Sequence, residues 1–334
     1  MGNKNMDYVF ASARVRSVEK NLLSREKADK MIDSKTSEDA LKVLHELGYG
    51  EENSGLNPSE LNEILSTEIQ KAYAFVFDVA PDKGVFDTFL YPYDYHNLKV
   101  LLKAEFSDTE AEPFLMDIGT IPKSKLMVMV RERSFMDMPE EMKRAVQEVI
   151  DVFGRTADPQ VIDFILDRAC YESMCKAADN SGSEYIRGYV ALLIDIINLK
   201  TFVRLRQMKK NWDFFSKVFL PGGRISESVF ISGYEESYEQ FAEKLLPYNL
   251  NEVLAEGALL LKESGRFTIL EKLCDNCLMQ YAKQAKYVSF GVEPLAAYLI
   301  AKEGDIKNAR IIMAGLLQGL SREMIKERQR EAYV

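Results

Sequence analysis

The chain has 334 residues, 47% of them hydrophobic and 28% charged, and a formal charge of −9. That is the balance of an ordinary folded protein, and an acidic surface has the wrong sign for a phosphate backbone, so nucleic acid is excluded as a partner. No stretch approaches the ~18 consecutive apolar residues of a membrane span; the best run, Tyr189 to Ile197, is interrupted by Asp195.

From the N-terminus, Met1-Gly2-Asn3-Lys4-Asn5 leads straight into the helical spacing Ala11/Val15/Val18/Leu22. No apolar core of a secretory signal precedes it, which points to the cytosol or the cytosolic face of a larger body. Thr36-x-x-Asp39 has the spacing of a capping box. Asn57 before Pro58 marks a second helix start, followed by Leu61/Ile64/Leu65 on one face. The alternation Phe89-Leu90-Tyr91-Pro92-Tyr93-Asp94-Tyr95 is expected to be a loop packed on the core through its rings.

A cassette of Asp, Asn at +3 and a cation at +5 follows in Asp94-Tyr95-His96-Asn97-Leu98-Lys99, with Leu98/Leu101/Leu102 on one helical face. Pro113 and the turn Gly119-Thr120-Ile121-Pro122 then punctuate the pattern. Lys125 to Val130 is the one run that could be read as strand, but it lacks the alternation of a half-buried one. Pro139-Glu140-Glu141 places proline at the first helical position and acids against the positive end of the helix dipole. Asp158 before Pro159 starts a helix carrying Ile162/Ile165/Leu166, and the cassette recurs as Asp195-Ile196-Ile197-Asn198-Leu199-Lys200 with Leu199/Phe202/Val203.

Beyond the Pro221-Gly222-Gly223 turn, Ser232-x-x-Glu235 has capping-box spacing and Thr268 with Glu271 starts another helix. Cys274-Asp275-Asn276-Cys277 is formally C-x-x-C, yet it lies within a helical pattern without a knuckle glycine or nearby histidine. The cysteines, Cys170 and Cys175 included, read as small apolar residues rather than metal ligands. The third cassette is Asp305-Ile306-Lys307-Asn308-Ala309-Arg310 with Ala309/Ile312/Met313. Here Glu303-Gly304-Asp305 resembles a helix stop and a new N-cap, opening a long helix to about Arg328. Gly315 and Gly319 are expected to let a neighbouring helix approach closely.

The markers keep register. The helix start and the cassette both recur after 101 residues (57 to 158, 94 to 195), and again after 110 (158 to 268, 195 to 305). The simplest reading is an all-α protein of three tandem copies of one helical domain, residues 1–112, 113–213 and 214–334. Units of this size complete their own cores, and three like bodies suit a pseudo-threefold arrangement about a central object.

Catalytic vocabulary is missing: no phosphate-binding glycine loop, no dinucleotide fingerprint, no metalloprotease or nucleophile-elbow motif. His45 and His96 sit in helical patterns without a placed partner and read as structural. The acid pairs Glu140/Glu141 and Glu235/Glu236 stand at helix starts, where capping accounts for them. The repeated Asp/Asn/cation set could be an interaction surface presented three times; the favoured reading is that it ties each helix to its neighbours. No catalytic residue, cofactor or metal is expected.

Taken together, Tyr8-Val9-Phe10-Ala11-Ser12-Ala13-Arg14-Val15-Arg16 with Leu22-Leu23-Ser24, Pro92 to Lys99, and Asp195 to Lys200 resemble the C-type component of the archaeal and bacterial V-type (A-type) rotary ATPases. Its eukaryotic counterpart is the d component of the V-type ATPase. The resemblance spans essentially the whole chain; the third cassette departs only in carrying Ala309 and Arg310. It implies a funnel-shaped, non-catalytic central-stalk subunit, peripheral on the cytoplasmic side of the membrane. Its partners would be the D and F subunits of the shaft and the membrane rotor ring. Lys99, Lys200 and Arg310 are the candidate interface residues; a helical scaffold of another complex is the alternative.

Overall fold

The computed structural model describes residues 4–50 and 60–334, all helix and connecting segments with no strand among them. The all-α expectation holds, and Lys125 to Val130 is helical. The Asn57-Pro58 helix start lies outside the described residues. The described chain divides into two compact units, residues 1–81 with 232–334, and residues 82–231.

The first unit begins with α1 (Lys4–Asp7), α2 (Val9–Val18), α3 (Arg25–Ile32), α4 (Ser37–Glu46) and α5 (Leu61–Val79). The expected N-terminal helix stops at Val18, so buried Leu22 lies in the segment beyond it. Two N-caps fix the next helices: Ser24 accepts from Lys27 N–H, and Thr36 accepts from Asp39 N–H as its spacing predicts.

The second unit holds α6 (Asp87–Ser107), α7 (Lys123–Arg131), α8 (Glu140–Thr156), α9 (Gln160–Asn180), α10 (Glu184–Gln207) and α11 (Trp212–Val218), and α12 (Glu227–Ser232) leads out of it. The aromatic run from Phe89 is not a loop: it forms the first turns of α6 with Pro92 inside the helix and Phe89, Leu90, Tyr93 and Tyr95 buried. Burial of four large side chains outweighs the one ladder bond that proline forgoes. Pro139 takes the N-cap of α8 rather than the first helical position, with Glu140 and Glu141 in the first turn. α9 packs between α6 and α8. Phe202, Phe215 and Phe230 form a ring cluster with centroids 5.3 to 5.8 Å apart.

The chain returns to the first unit through α13 (Tyr238–Lys244), α14 (Asn251–Ser264), α15 (Thr268–Lys283), α16 (Val292–Leu317) and α17 (Arg322–Arg328). The capping box belongs to Ser237 and Gln240, not to Ser232, which ends α12. Gly304 is no helix stop: α16 runs through it, and a Cβ there would come within 2.5 Å of Met279 Cε, so glycine serves the packing of α15 on α16. The expected single helix to Arg328 is two helices. Gly319, at φ 66°, forms the left-handed cap that ends α16, with Leu320 N–H bonded to Gly315 carbonyl and Gly319 N–H to Leu316 carbonyl. Gly315 does allow close approach, since a Cβ would lie 2.7 Å from Ile325 of α17.

Candidate functional site

α6, α10 and α16 carry the three cassettes, and each is apolar around most of its circumference, as befits an interior helix. All nine apolar cassette residues, Leu98 through Met313, are buried. Six of the eleven buried polar or charged residues among those described are the cassette Asp and Asn side chains, none more than 2% exposed. At that depth an unpaired amide or carboxylate is costly, so each requires a partner.

The partners are the same in kind three times. Asn97 Nδ2 donates to the Met116 carbonyl at 2.9 Å while its Oδ1 accepts from Met116 N–H at 2.8 Å. Asn198 holds both backbone groups of Leu220 at 2.8 and 2.9 Å, and Asn308 holds those of Arg330 at 3.1 and 2.8 Å. The side-chain amide thus completes both hydrogen bonds of one distant residue.

Three residues earlier, on the same helix face, each Asp receives a backbone N–H at a helix approach. Asp94 accepts from Ile121 N–H at 3.2 Å and from Thr120 N–H and hydroxyl at 2.9 and 2.6 Å. Asp195 accepts from Ile225 N–H at 2.9 Å and from Arg224 Nε at 3.1 Å. Asp305 accepts from Leu23 N–H at 2.8 Å. Ile121, Ile225 and Leu23 each stand two residues before the first residue of α7, α12 and α3. Gly119 and Gly223 belong to this geometry, because a Cβ on either would overlap Oδ1 of Asp94 or Asp195.

Burial dominates the electrostatics. It raises the Asp94 carboxyl to about 6, against the lowering effect of the Thr120 and Ile121 donors. It raises Asp305 to about 7, opposed by the Leu23 amide and the charge of Lys302. Next to Asp305, Lys302 is 2% exposed and donates to Glu68 at 2.6 Å. Lys302 also lies 4.4 Å from the centroid of the Tyr49 ring.

The cassette cations share no such role. Lys99 is ion-paired with Asp167 of α9 at 2.6 Å, Lys200 is half-buried and Arg310 is exposed. Neither Lys200 nor Arg310 makes an ion pair among the described residues. His96 Nε2 meets the Phe114 carbonyl at 3.1 Å and His45 Nδ1 the Tyr49 carbonyl at 3.1 Å. Within the C-x-x-C segment, Asp275 is paired with Lys307 at 2.7 Å and Arg330 at 2.9 Å, and Asn276 accepts from Glu331 N–H at 2.7 Å. These intervening polar residues tie α15 to α16 and to the segment after α17. Sequence reasoning passed over Leu23, Gly119 and Gly223 as clamp partners. A signal existed for two of them, the Gly-x-Ile triplets Gly119-Thr120-Ile121 and Gly223-Arg224-Ile225, each just before a helix.

These features define an all-helical internal-repeat protein whose repeated polar residues fasten its own backbone. No helix among the described residues is long and apolar enough to cross a membrane. Residues 11–328 match the family described as ATP synthase (C/AC39) subunit, and the chain belongs to that family. It is therefore a subunit of an ATPase of the V or A type. Among its relatives, the C-type component of the V-type sodium ATPase of Enterococcus hirae is 24% identical, over 98% of this chain and 99% of that protein. The corresponding component of the A-type ATP synthase of Methanocaldococcus jannaschii is 25% identical over 96% and 85%, and that of Pyrococcus abyssi 23% over 97% and 90%.

Proposed function

We propose that this chain is a non-catalytic rotor subunit of the central stalk, a socket on the cytoplasmic side of the membrane. It receives the shaft formed by the D and F subunits and rests on the membrane rotor ring, so that torque passes between ATP chemistry and ion movement. The observation that carries this reading is the threefold clamp. A coupling part needs stiffness more than a reactive group, and each cassette helix is fastened through a buried aspartate to backbone outside that helix. Three domains, residues 1–112, 113–213 and 214–334, then form a funnel in which the cassette of each grips the segment opening the next, and that of the third grips the first. Lys200 and Arg310, cations without an ion-pair partner among the described residues, are offered to the shaft or ring, with Lys99 alongside.

Reconstitution tests the proposal. With the chain present, ATP hydrolysis drives ion uptake into vesicles holding the membrane sector. Without it, the soluble sector still hydrolyses ATP and uptake is lost. Full coupling in its absence, or its recovery from membranes without D, F or ring subunits, overturns the reading. The variants Lys200→Glu and Arg310→Glu, at unchanged melting temperature, are expected to weaken shaft or ring binding by about tenfold.

A further inference from the structure

The first unit contains a cavity of about 550 Å³ bounded by α3, α15, α17 and the segment after α17. Arg25, Lys272, Lys283, Lys326 and Arg330 line it, against only two side-chain carboxylates, Asp29 and Glu331. Five cationic side chains to two acidic ones make the lining itself basic in a chain whose formal charge is −9, although Asp275 and Asp33 stand behind two of the cations. Concentrated charge in a concave, partly desolvated wall focuses the field and draws in an opposite charge.

Four of the five cations meet a carboxylate within 4.0 Å, two of them only at 3.9–4.0 Å, and Lys272 meets none among the described residues. Glu331 is taken by Lys283 at 2.6 Å, and Asp29 stands 4.0 Å from Arg25. Arg330 is met at 2.9 Å by Asp275, which does not line the cavity. Lys326 has Asp33 at 3.9 Å. Lys272 donates to the Glu327 carbonyl at 3.0 Å and has no carboxylate within ion-pair distance among the described residues. Burial, with the like charges of Arg330 and Arg25, holds its ammonium below the ordinary lysine range. A lysine so placed gains from an anion that adds charge-assisted hydrogen bonds.

We propose that this cavity is a binding site for a compact soluble polyphosphate, an anion with two or three linked phosphate groups. The volume lies within the range of small-ligand sites and exceeds what one phosphate fills. No aromatic side chain lines it, so it offers a nucleobase no stacking surface. Its walls are charged and polar apart from Ala332 and Val334, which leaves acyl chains without a seat. Recognition rests on the phosphates alone.

Calorimetric titration of the full chain with inorganic tripolyphosphate tests this. Saturable one-to-one binding is expected at low salt, weakened about tenfold or more at about 0.5 M salt. Lys272→Gln should lose about tenfold in affinity at unchanged melting temperature, whereas Lys42→Gln, an exposed cation outside the cavity, should lose none. ATP should bind no more tightly than tripolyphosphate. The proposal is overturned by the absence of saturable heat, by equal losses in both variants, by ATP binding more than about tenfold tighter, or by binding confined to vesicles with phosphorylated headgroups.

Discussion

The backbone N–H of Leu23 donates to Asp305 Oδ2 at 2.8 Å, a buried bond spanning 282 residues of sequence. Its counterparts, Ile121 on Asp94 and Ile225 on Asp195, span 27 and 30. The third copy therefore makes with the N-terminal segment the contact that the first two make with the chain just ahead. The same hydrogen bond serves a short connection and a very long one because in each copy the carboxylate accepts a main-chain N–H.

Asp305 makes stability depend on pH. Its ordinary value is 3.8 and burial lifts it to about 7, so between these the folded chain holds a proton that the unfolded chain releases. The stabilising contribution is complete below about pH 4 and is lost as pH rises through about 7. Asp305→Asn retains an oxygen for Leu23 N–H and never ionises. In urea unfolding, wild-type stability relative to this variant should fall by about 1 kcal/mol per pH unit from 4 to 7 and then level off. A difference that stays constant across this range would show that Asp305 is not the titrating group.

Asn198→Ala strips both partners from the backbone of Leu220, whose hydrogen bonds are buried. Orphaning a buried donor and acceptor should cost on the order of 3 kcal/mol, read as a lower denaturant midpoint. Wild-type stability in this variant would mean that water or a local shift supplies the missing bonds.

Gly223→Ala drives a methyl group against Asp195 Oδ1. The carboxylate must leave Ile225 N–H or the turn must open, with a loss of roughly 2 kcal/mol or more. Gly265→Ala is the comparison: φ there is 68° and nothing lies within 4 Å of a built Cβ, so its cost is backbone strain alone. The melting temperature of Gly223→Ala should drop further.

Lys302→Met abandons Glu68, which is 8% exposed and already has one oxygen, Oε2, without a hydrogen bond among the described residues. Removing one member of a buried pair costs about 3–5 kcal/mol. The double variant Lys302→Met with Glu68→Leu should recover more than half of that loss in chemical denaturation. Failure to recover would assign the cost to lost packing of the lysine stem.

The cassette helices were legible because helical periodicity and polar spacing are local: Leu98, Phe202 and Ile312 fall on buried faces as their positions require. The grip of Asp305 on Leu23 was not, since no local rule pairs residues so far apart. Gly304 misled for a different reason. A glycine beside an aspartate carries the chemistry of a helix end, but here the absent side chain admits Met279. Ser232 lost the cap to Ser237 because Ser232 is the last residue of α12 and no helix starts directly after it, whereas Ser237 precedes α13 and exchanges both bonds with Gln240. The cations shared a spacing without sharing surroundings: Lys99 faces carboxylates on α9, Arg310 faces outward.

Met116, Leu220 and Arg330 occupy equivalent places under the three asparagines, and their side chains range from a thioether and a branched alkyl group to a guanidinium. An amide that holds main-chain atoms is blind to what the held residue carries. A cassette that grips main chain tolerates change at the grasped position, so kinship among the three is recorded by who does the holding rather than by who is held.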